Sequence, residues 1–226
     1  MMRFKLHGLL YPLVLASTLI LNQAAWSQTS AVSLDCDIGD QQQEAKLLRA
    51  ANGMAVRRSI HELRLTVAGK ELTFKDTPPY DEPLDGTSYT YCGRKEGYSL
   101  IADREGDVFT GKLIDERTGR ILDAGQEVMF SPDRRAYLAS EQIDGMDGPM
   151  WTIHSIDGKV SWKGPSFVEP STPHSSAISL DSPAWTASGE LVAKVNCSDN
   201  NELAKLVKIN GAWKWRLPPS CKAGAQ

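Results

Sequence analysis

The sequence predicts an all-β chain: an array of antiparallel sheets with one short N-terminal helix. Two features carry that reading. Apolar and polar residues alternate with period two over most of the chain after Gly53, and glycine-bearing two-residue turns separate those runs. A degenerate repeat in the second half is the third. Of 226 residues 41% are hydrophobic and 23% are charged with mixed sign, which is a globular composition. A net charge of −3 gives no basic field for a polyanion, so no nucleic-acid partner is expected.

The first segment reads as an export signal. Arg3 and Lys5 precede an apolar core from Leu9 to Leu21, 13 residues and too short to span a bilayer. Ala25 and Ser27 flank Trp26 as small residues suited to a signal peptidase, so residues 1–27 are expected to leave. The mature product, residues 28–226, would carry 23 cations against 28 acids. It is expected to be one disulfide-linked domain, periplasmic or secreted, with no membrane segment after cleavage. Asp35 beside Cys36 is wrong for a lipid-attachment signal.

Cys36, Cys92, Cys197 and Cys221 form an even set in an oxidising compartment. Three pairings are possible; Cys36 with Cys92 and Cys197 with Cys221 is favoured, because each pair staples one end of the chain to its own neighbourhood. No two cysteines have the short spacing of a zinc knuckle.

The helix is expected from Gln41 to Asn52, capped by Asp40 and stopped by Gly53, with Ala45, Leu48 and Ala51 on one face. Leu63, Leu65 and Val67 then alternate with Arg64 and Thr66, and Ala68-Gly69 turns the chain into a strand from Lys70 to Phe74. Thr77 to Thr90, with three prolines and no periodicity, reads as a loop. Strands follow at Tyr98 to Ala102, Val108 to Ile114, Arg120 to Leu122 and Val128 to Phe130, and Pro165 to Pro173 is a second break.

The repeat aligns Phe130-Ser131-Pro132-Asp133, Tyr137-Leu138-Ala139, Ile156-Asp157-Gly158 and Trp162 with Trp185-Thr186-Ala187-Ser188-Gly189, Leu191-Val192-Ala193, Ile209-Asn210-Gly211 and Trp215, at offsets of 53 to 55 residues. Asp-Gly and Asn-Gly favour two-residue hairpins. A tryptophan after each turn is expected to close the same layer twice. Four-stranded units with this period are what propeller blades look like in sequence. Phe130-Ser131-Pro132-Asp133, its aromatic-aliphatic strand and its Asp-Gly turn resemble the blade motif of Tol-type and WD-like β-propellers, with Arg134 where that motif usually has glycine. Arg104-Glu105-Gly106-Asp107, Leu113-Ile114-Asp115 and Thr118-Gly119 are similar to small secreted propeller-like proteins. Some immunity proteins against type VI secretion toxins share that partial-propeller architecture. The resemblance covers roughly residues 57–216 and implies a propeller-like array of sheets.

Catalytic signatures are absent from the sequence: there is no His-Glu-x-x-His and no Gly-x-Ser-x-Gly. His154 alternates within a strand and is expected to be hydrogen-bonded or solvent-facing. Ser131-Pro132-Asp133 is expected to be a turn that ties its side chains to local amides. The five tryptophans after the signal are expected in core packing ahead of a sugar-stacking platform. No catalytic, cofactor or metal residue is assigned.

The stretch Asp144-Gly145-Met146-Asp147-Gly148-Pro149 lacks the acid spacing of an EF-hand, and Asp144, Met146, Asp147 and Met150 are the candidate partner loop. The expected function is an exported protein-binding module, an inhibitor or immunity protein that occludes a toxin or cell-wall hydrolase, with an acidic loop such as Asp144 to Met150 meeting a basic active-site rim. A periplasmic hydrolase on the same scaffold is the alternative.

Overall fold

A computed structural model describes residues 32–36, 41–51, 56–80, 86–143, 148–169, 176–197 and 202–223. The segment expected to be an export signal, residues 1–27, and three of the four residues of the candidate partner loop, Asp144, Met146 and Asp147, lie outside these. A short strand β1 (Ser33–Asp35) and a helix α1 (Gln41–Ala50) come first. Sheet I follows with β2 (Val56–Ser59), β3 (Glu62–Val67) and β4 (Lys70–Lys75). Sheet II holds β5 (Thr87–Lys95), β6 (Tyr98–Glu105), β7 (Val108–Asp115) and β8 (Arg120–Ala124). Sheet III holds β9 (Glu127–Phe130), β10 (Ala136–Glu141), β11 (Met150–Ser155) and β12 (Val160–Pro165), with β1 added beside β9. Sheet IV holds β13 (Phe167–Val168), β14 (Ile178–Trp185), β15 (Leu191–Val195), β16 (Leu203–Ile209) and β17 (Ala212–Arg216), and a one-turn helix α2 (Ser220–Ala223) ends the described chain.

Every sheet is antiparallel, its strands run in chain order apart from β1, and none closes on itself. The all-β expectation holds, with a second helix, α2, beyond the single N-terminal one foreseen. The strand period explains how the sheets stack. Successive side chains point to opposite faces, so an inner sheet can bury both. Ile101 and Ile114 of sheet II pack with Leu63, Leu65 and Val67 of sheet I under α1. Their strand neighbours Leu100 and Leu113 pack with Val128, Phe130 and Tyr137 of sheet III. The other face of sheet III, with Leu138, Trp151 and Ile153, meets Leu180, Leu191 and Leu206 of sheet IV. Three apolar layers thus join I to II, II to III and III to IV, and no described cluster joins IV back to I.

Cys36 bonds to Cys92 and Cys197 to Cys221, with Cα separations of 4.8 and 5.3 Å. Since β1 hydrogen-bonds into sheet III and Cys92 lies on β5, the first bridge fastens sheet III to sheet II. The second ties the chain just after β15, the central strand of sheet IV, to α2.

The repeat falls on β9–β12 and β14–β17. Phe130 and Trp185 each end the first strand of a unit and pack toward the preceding sheet. Arg134 adopts φ +58°, the left-handed conformation for which glycine is usual, and is held by its amide and guanidinium on the Ser131 carbonyl and by Glu96. The two hairpins differ in their turns. Asn210-Gly211 makes a two-residue hairpin with both φ positive, whereas Asp157-Gly158 sits in a longer loop and β11–β12 carries a bulge at Ile153/His154. One extra residue flips the side chains that follow it. Trp162 and Trp215 therefore face each other across the layer between sheets III and IV, 5.8 Å apart and edge to face, and both close that one layer.

Two boundaries also differ. Thr87 to Thr90, read as loop, begins β5, and its period is obscured by a register shift between Tyr91 and Gly93. Asp103 to Glu105 stays within β6, leaving Gly106-Asp107 as the turn.

Candidate functional site

A cavity of about 500 Å³ opens between sheets III and IV, within the size range of small-ligand sites. Its walls combine Glu127 and Ser140 from sheet III, Trp151 at the start of β11, Ser166 between β12 and β13, and Leu180 and Asp181 from β14. Two local irregularities shape it. On β14 the register shifts by one residue between Asp181 and Ala184, and Ser182 within that bulge has φ +47°. Bulges re-aim side chains, and strained non-glycine backbone concentrates at functional sites. On the opposite wall Gly125 lets the chain before β9 approach β10 closely, because a Cβ there would stand 1.8 Å from the Ser140 carbonyl oxygen.

The chemistry of the lining is one-signed. Ser140 and Ser166 are buried yet line the cavity, Ser179 and Ser182 add two more hydroxyls, and among the described residues no Lys, Arg or His contributes to the walls. Neither Glu127 nor Asp181 forms an ion pair with another described residue. Burial pushes the Glu127 carboxyl above its ordinary range, and Asp35, its register partner on β1, adds to the rise. Trp151 and Leu180 supply an apolar side.

A second surface lies on the far side of sheet IV. Leu206 and Trp215 point inward, so by period two the rows Val192–Lys205–Arg216, Lys194–Leu203 and Val207–Lys214 point outward. This face mixes aliphatic and cationic side chains, with Leu203 50% and Ile209 39% exposed. Its acids are Asp181 and Glu190, the latter bound by Lys205 at 2.9 Å. The other end of the stack is different: sheet I turns Arg57, Arg64, Thr66, Glu71 and Thr73 outward, and Arg64 pairs with Glu62 and Glu71.

The candidate partner loop lies between β10 and β11. Its described members are Met150, half-buried at the start of β11, and the neighbouring Gly148 and Pro149, which line the cavity. Asp144, Met146 and Asp147 have no described position. Neither the cavity nor the outward face of sheet IV was foreseen. Their residues come from strands far apart in sequence, although Lys205, Val207 and Ile209 alternate with Leu206 in a pattern that marks a two-sided strand.

The remaining residues singled out by sequence occupy structural positions. Ser131 Oγ donates to Asp133 and accepts from the Ala136 amide, a local turn. His154 is 5% exposed and stacks on Tyr137 at 4.9 Å, so it is neither at the surface nor beside a nucleophile. Burial lowers its pKa, against the opposing influence of Glu141 and Asp123. Trp151, Trp162, Trp185 and Trp215 belong to the layer between sheets III and IV, while Trp213 is exposed near Lys208. Among the described residues no three His, Cys, Asp or Glu converge as a metal site, and no helix is long and apolar enough to cross a membrane.

No protein-family model, curated protein or solved structure matches the chain.

Proposed function

We propose that the chain is an exported protein-binding module whose partner presents an acidic surface, with inhibition of, or immunity to, a toxin or cell-wall hydrolase as its specific form. The carrying observation is the outward face of sheet IV, where Lys194, Lys205, Lys214 and Arg216 surround Val207, Leu203 and Ile209 at an end of the stack against which no other described sheet packs. Aliphatic groups contribute area removed from water, and cations select for complementary charge. A second copy is a poor occupant. Face-to-face pairing of sheet IV would oppose like charges, and the outward face of sheet I offers polar side chains of both signs.

In this reading the sheets are successive blades of an incomplete propeller, and the partner covers the face that a further blade would otherwise cover. The up-and-down order of strands and the layer-by-layer packing support it. The test is retention of proteins from periplasmic extract and competitor culture supernatant on immobilised residues 28–226. The expected result is one stoichiometric acidic partner whose hydrolase activity falls on binding, and whose retention is lost in Lys205→Glu/Arg216→Glu. Retention unaffected by that double variant would remove sheet IV as the interface.

A hydrolase is the second reading, favoured by the half-buried carboxyl of Glu127 in the cavity between sheets III and IV. Turnover of a glycan, peptide or ester that disappears in Glu127→Gln would establish it.

A further inference from the structure

The side chains that sheet III sends toward sheet IV change character from one row to the next. Met129, Leu138, Ile153 and Trp162 are register partners on successive strands and pack against sheet IV. Two residues further along each strand the row reads Asp35, Glu127, Ser140, Trp151, Gly164, from β1 to β12. Register partners share a face of the sheet, so Glu127, Ser140 and Trp151 stand side by side in one wall of the cavity. On the opposite sheet Asp181, in register with Lys194, turns to the outward face. Glu127 is thus the single carboxyl facing this cavity among the described lining residues.

Three polar groups of the cavity have no partner. Among the described residues no hydrogen bond or ion pair reaches the Glu127 carboxylate or the hydroxyls of Ser140 and Ser166, and both serines are only 7% exposed. Ser166 is fixed by its own main chain, whose amide donates to the Pro149 carbonyl at 3.0 Å and whose carbonyl accepts from the Leu180 amide at 2.8 Å. A half-buried carboxylate without a donor is completed by a cation that brings several, and Asp35 beside it deepens the negative field from outside the walls. A guanidinium fits best. Its planar fork gives two N–H groups to one carboxylate and keeps others for serine oxygens, and it gives up water more readily than an ammonium. Trp151, two strand spacings or roughly 10 Å from Glu127, offers an apolar surface with Phe167 and Leu180.

We infer that this cavity binds a guanidinium carried on an apolar stem, its head on Glu127 and Ser140 and its stem along Trp151. The same chemistry belongs to a small free guanidine and to an arginine side chain of a protein partner. Gly148 and Pro149, at the end of the candidate partner loop, line the cavity, so an occupant would touch the root of that loop.

The test is titration of residues 28–226 with n-butylguanidine and its neutral isostere n-butylurea, followed by NMR at the Trp151 indole and the Ser166 amide. N-acetylarginine amide and N-acetylcitrulline amide repeat the comparison on a peptide backbone. Saturable shifts with butylguanidine are expected, with butylurea at least about tenfold weaker, the difference appropriate to one charge-assisted contact. Tighter binding of the arginine amide than of butylguanidine would assign the site to a partner's side chain, and exclusion of the amide would assign it to a free guanidine. Glu127→Gln is expected to bring the guanidine-to-urea ratio close to one. Asp35→Asn, exposed on the edge strand, is expected to lower that ratio about twofold, and keeps the test open should Glu127→Gln disturb packing. Equal affinity for butylguanidine and butylurea, absence of saturation, or a ratio unmoved by both variants in folded protein would overturn the inference. None of these outcomes depends on the outward face of sheet IV.

Discussion

The indole Nε1 of Trp185 donates a 3.0 Å hydrogen bond to the main-chain oxygen of Met129, across the layer between sheets IV and III. Trp185 closes the first strand of the second repeat unit, and Met129 precedes Phe130, which closes the first strand of the preceding unit. One residue of the repeat thus anchors on its own counterpart's neighbour. Replacing Trp185 by Phe keeps most of the ring and removes the donor, so a loss of about 1 kcal/mol is expected in chemical denaturation. Trp185→Ala also empties the layer and is expected to cost about 3 kcal/mol or more.

Gly125 gives a sharper case. A Cβ there would meet backbone, the Ser140 carbonyl oxygen at 1.8 Å, and backbone cannot swing aside. Gly125→Ala is expected to destabilise by at least about 3 kcal/mol, the upper range for overpacking. A denaturation midpoint equal to wild type would show that β9 and β10 separate easily.

His154 and Glu127 should bend the pH–stability profile in opposite directions. Burial lowers the His154 pKa, with Lys163 acting the same way and Glu141, Asp123 and the Gly158 carbonyl opposing. Between its folded value and about 6.5 the unfolded chain binds the extra proton, so stability is complete above that window and is lost as pH falls through it. In His154→Phe, which keeps a ring on Tyr137, that loss should disappear when midpoints are compared at pH values above and below the window.

For Glu127 the folded pKa is raised, first by burial and then by Asp35. Its contribution is complete below the ordinary carboxylate range and is lost as pH rises through the folded value. Glu127→Gln is therefore expected to gain stability relative to wild type at neutral pH and to show little difference in acid, measured by the same denaturation series.

The two disulfides span 56 and 24 residues of sequence. On the chain-entropy model these closures contribute about 4 and about 3.5 kcal/mol. Reduction of both should lower the thermal midpoint markedly, and an unchanged midpoint would dispose of the staple argument.

Most of the strands were legible because alternation and turn chemistry are local. Ala68-Gly69 and Asn210-Gly211 turn as their sequences suggest, with positive φ at both positions. Glu96-Gly97 turns the same way without announcing it, since glutamate is not a residue of left-handed backbone by preference. The facing of Trp162 was hidden for another reason: a bulge is a pairing property, and pairing is not written in the strand that contains it. The cavity was less legible still. Glu127 is one of 28 acids, and Ser140, Ser166 and Ser179 carry no shared spacing. Strand pairing sets Glu127 beside Ser140 in sheet III and Ser179 opposite Phe167 in sheet IV, and the stacking of the two sheets brings the pairs together.

That stacking has a consequence for how the molecule comes apart. Each sheet is held by the one before and the one after, so stability behaves as a sum over nearest neighbours along one dimension, as in repeat proteins. Cross-links guard the middle and the C-terminal end: Cys36–Cys92 fastens sheets II and III, and Cys197–Cys221 closes on sheet IV. Sheet I has the apolar layer under α1 and no covalent tie of its own. Its amides should exchange with solvent by peeling at free energies below that of global unfolding, while those of β10 and β11 wait for the whole chain.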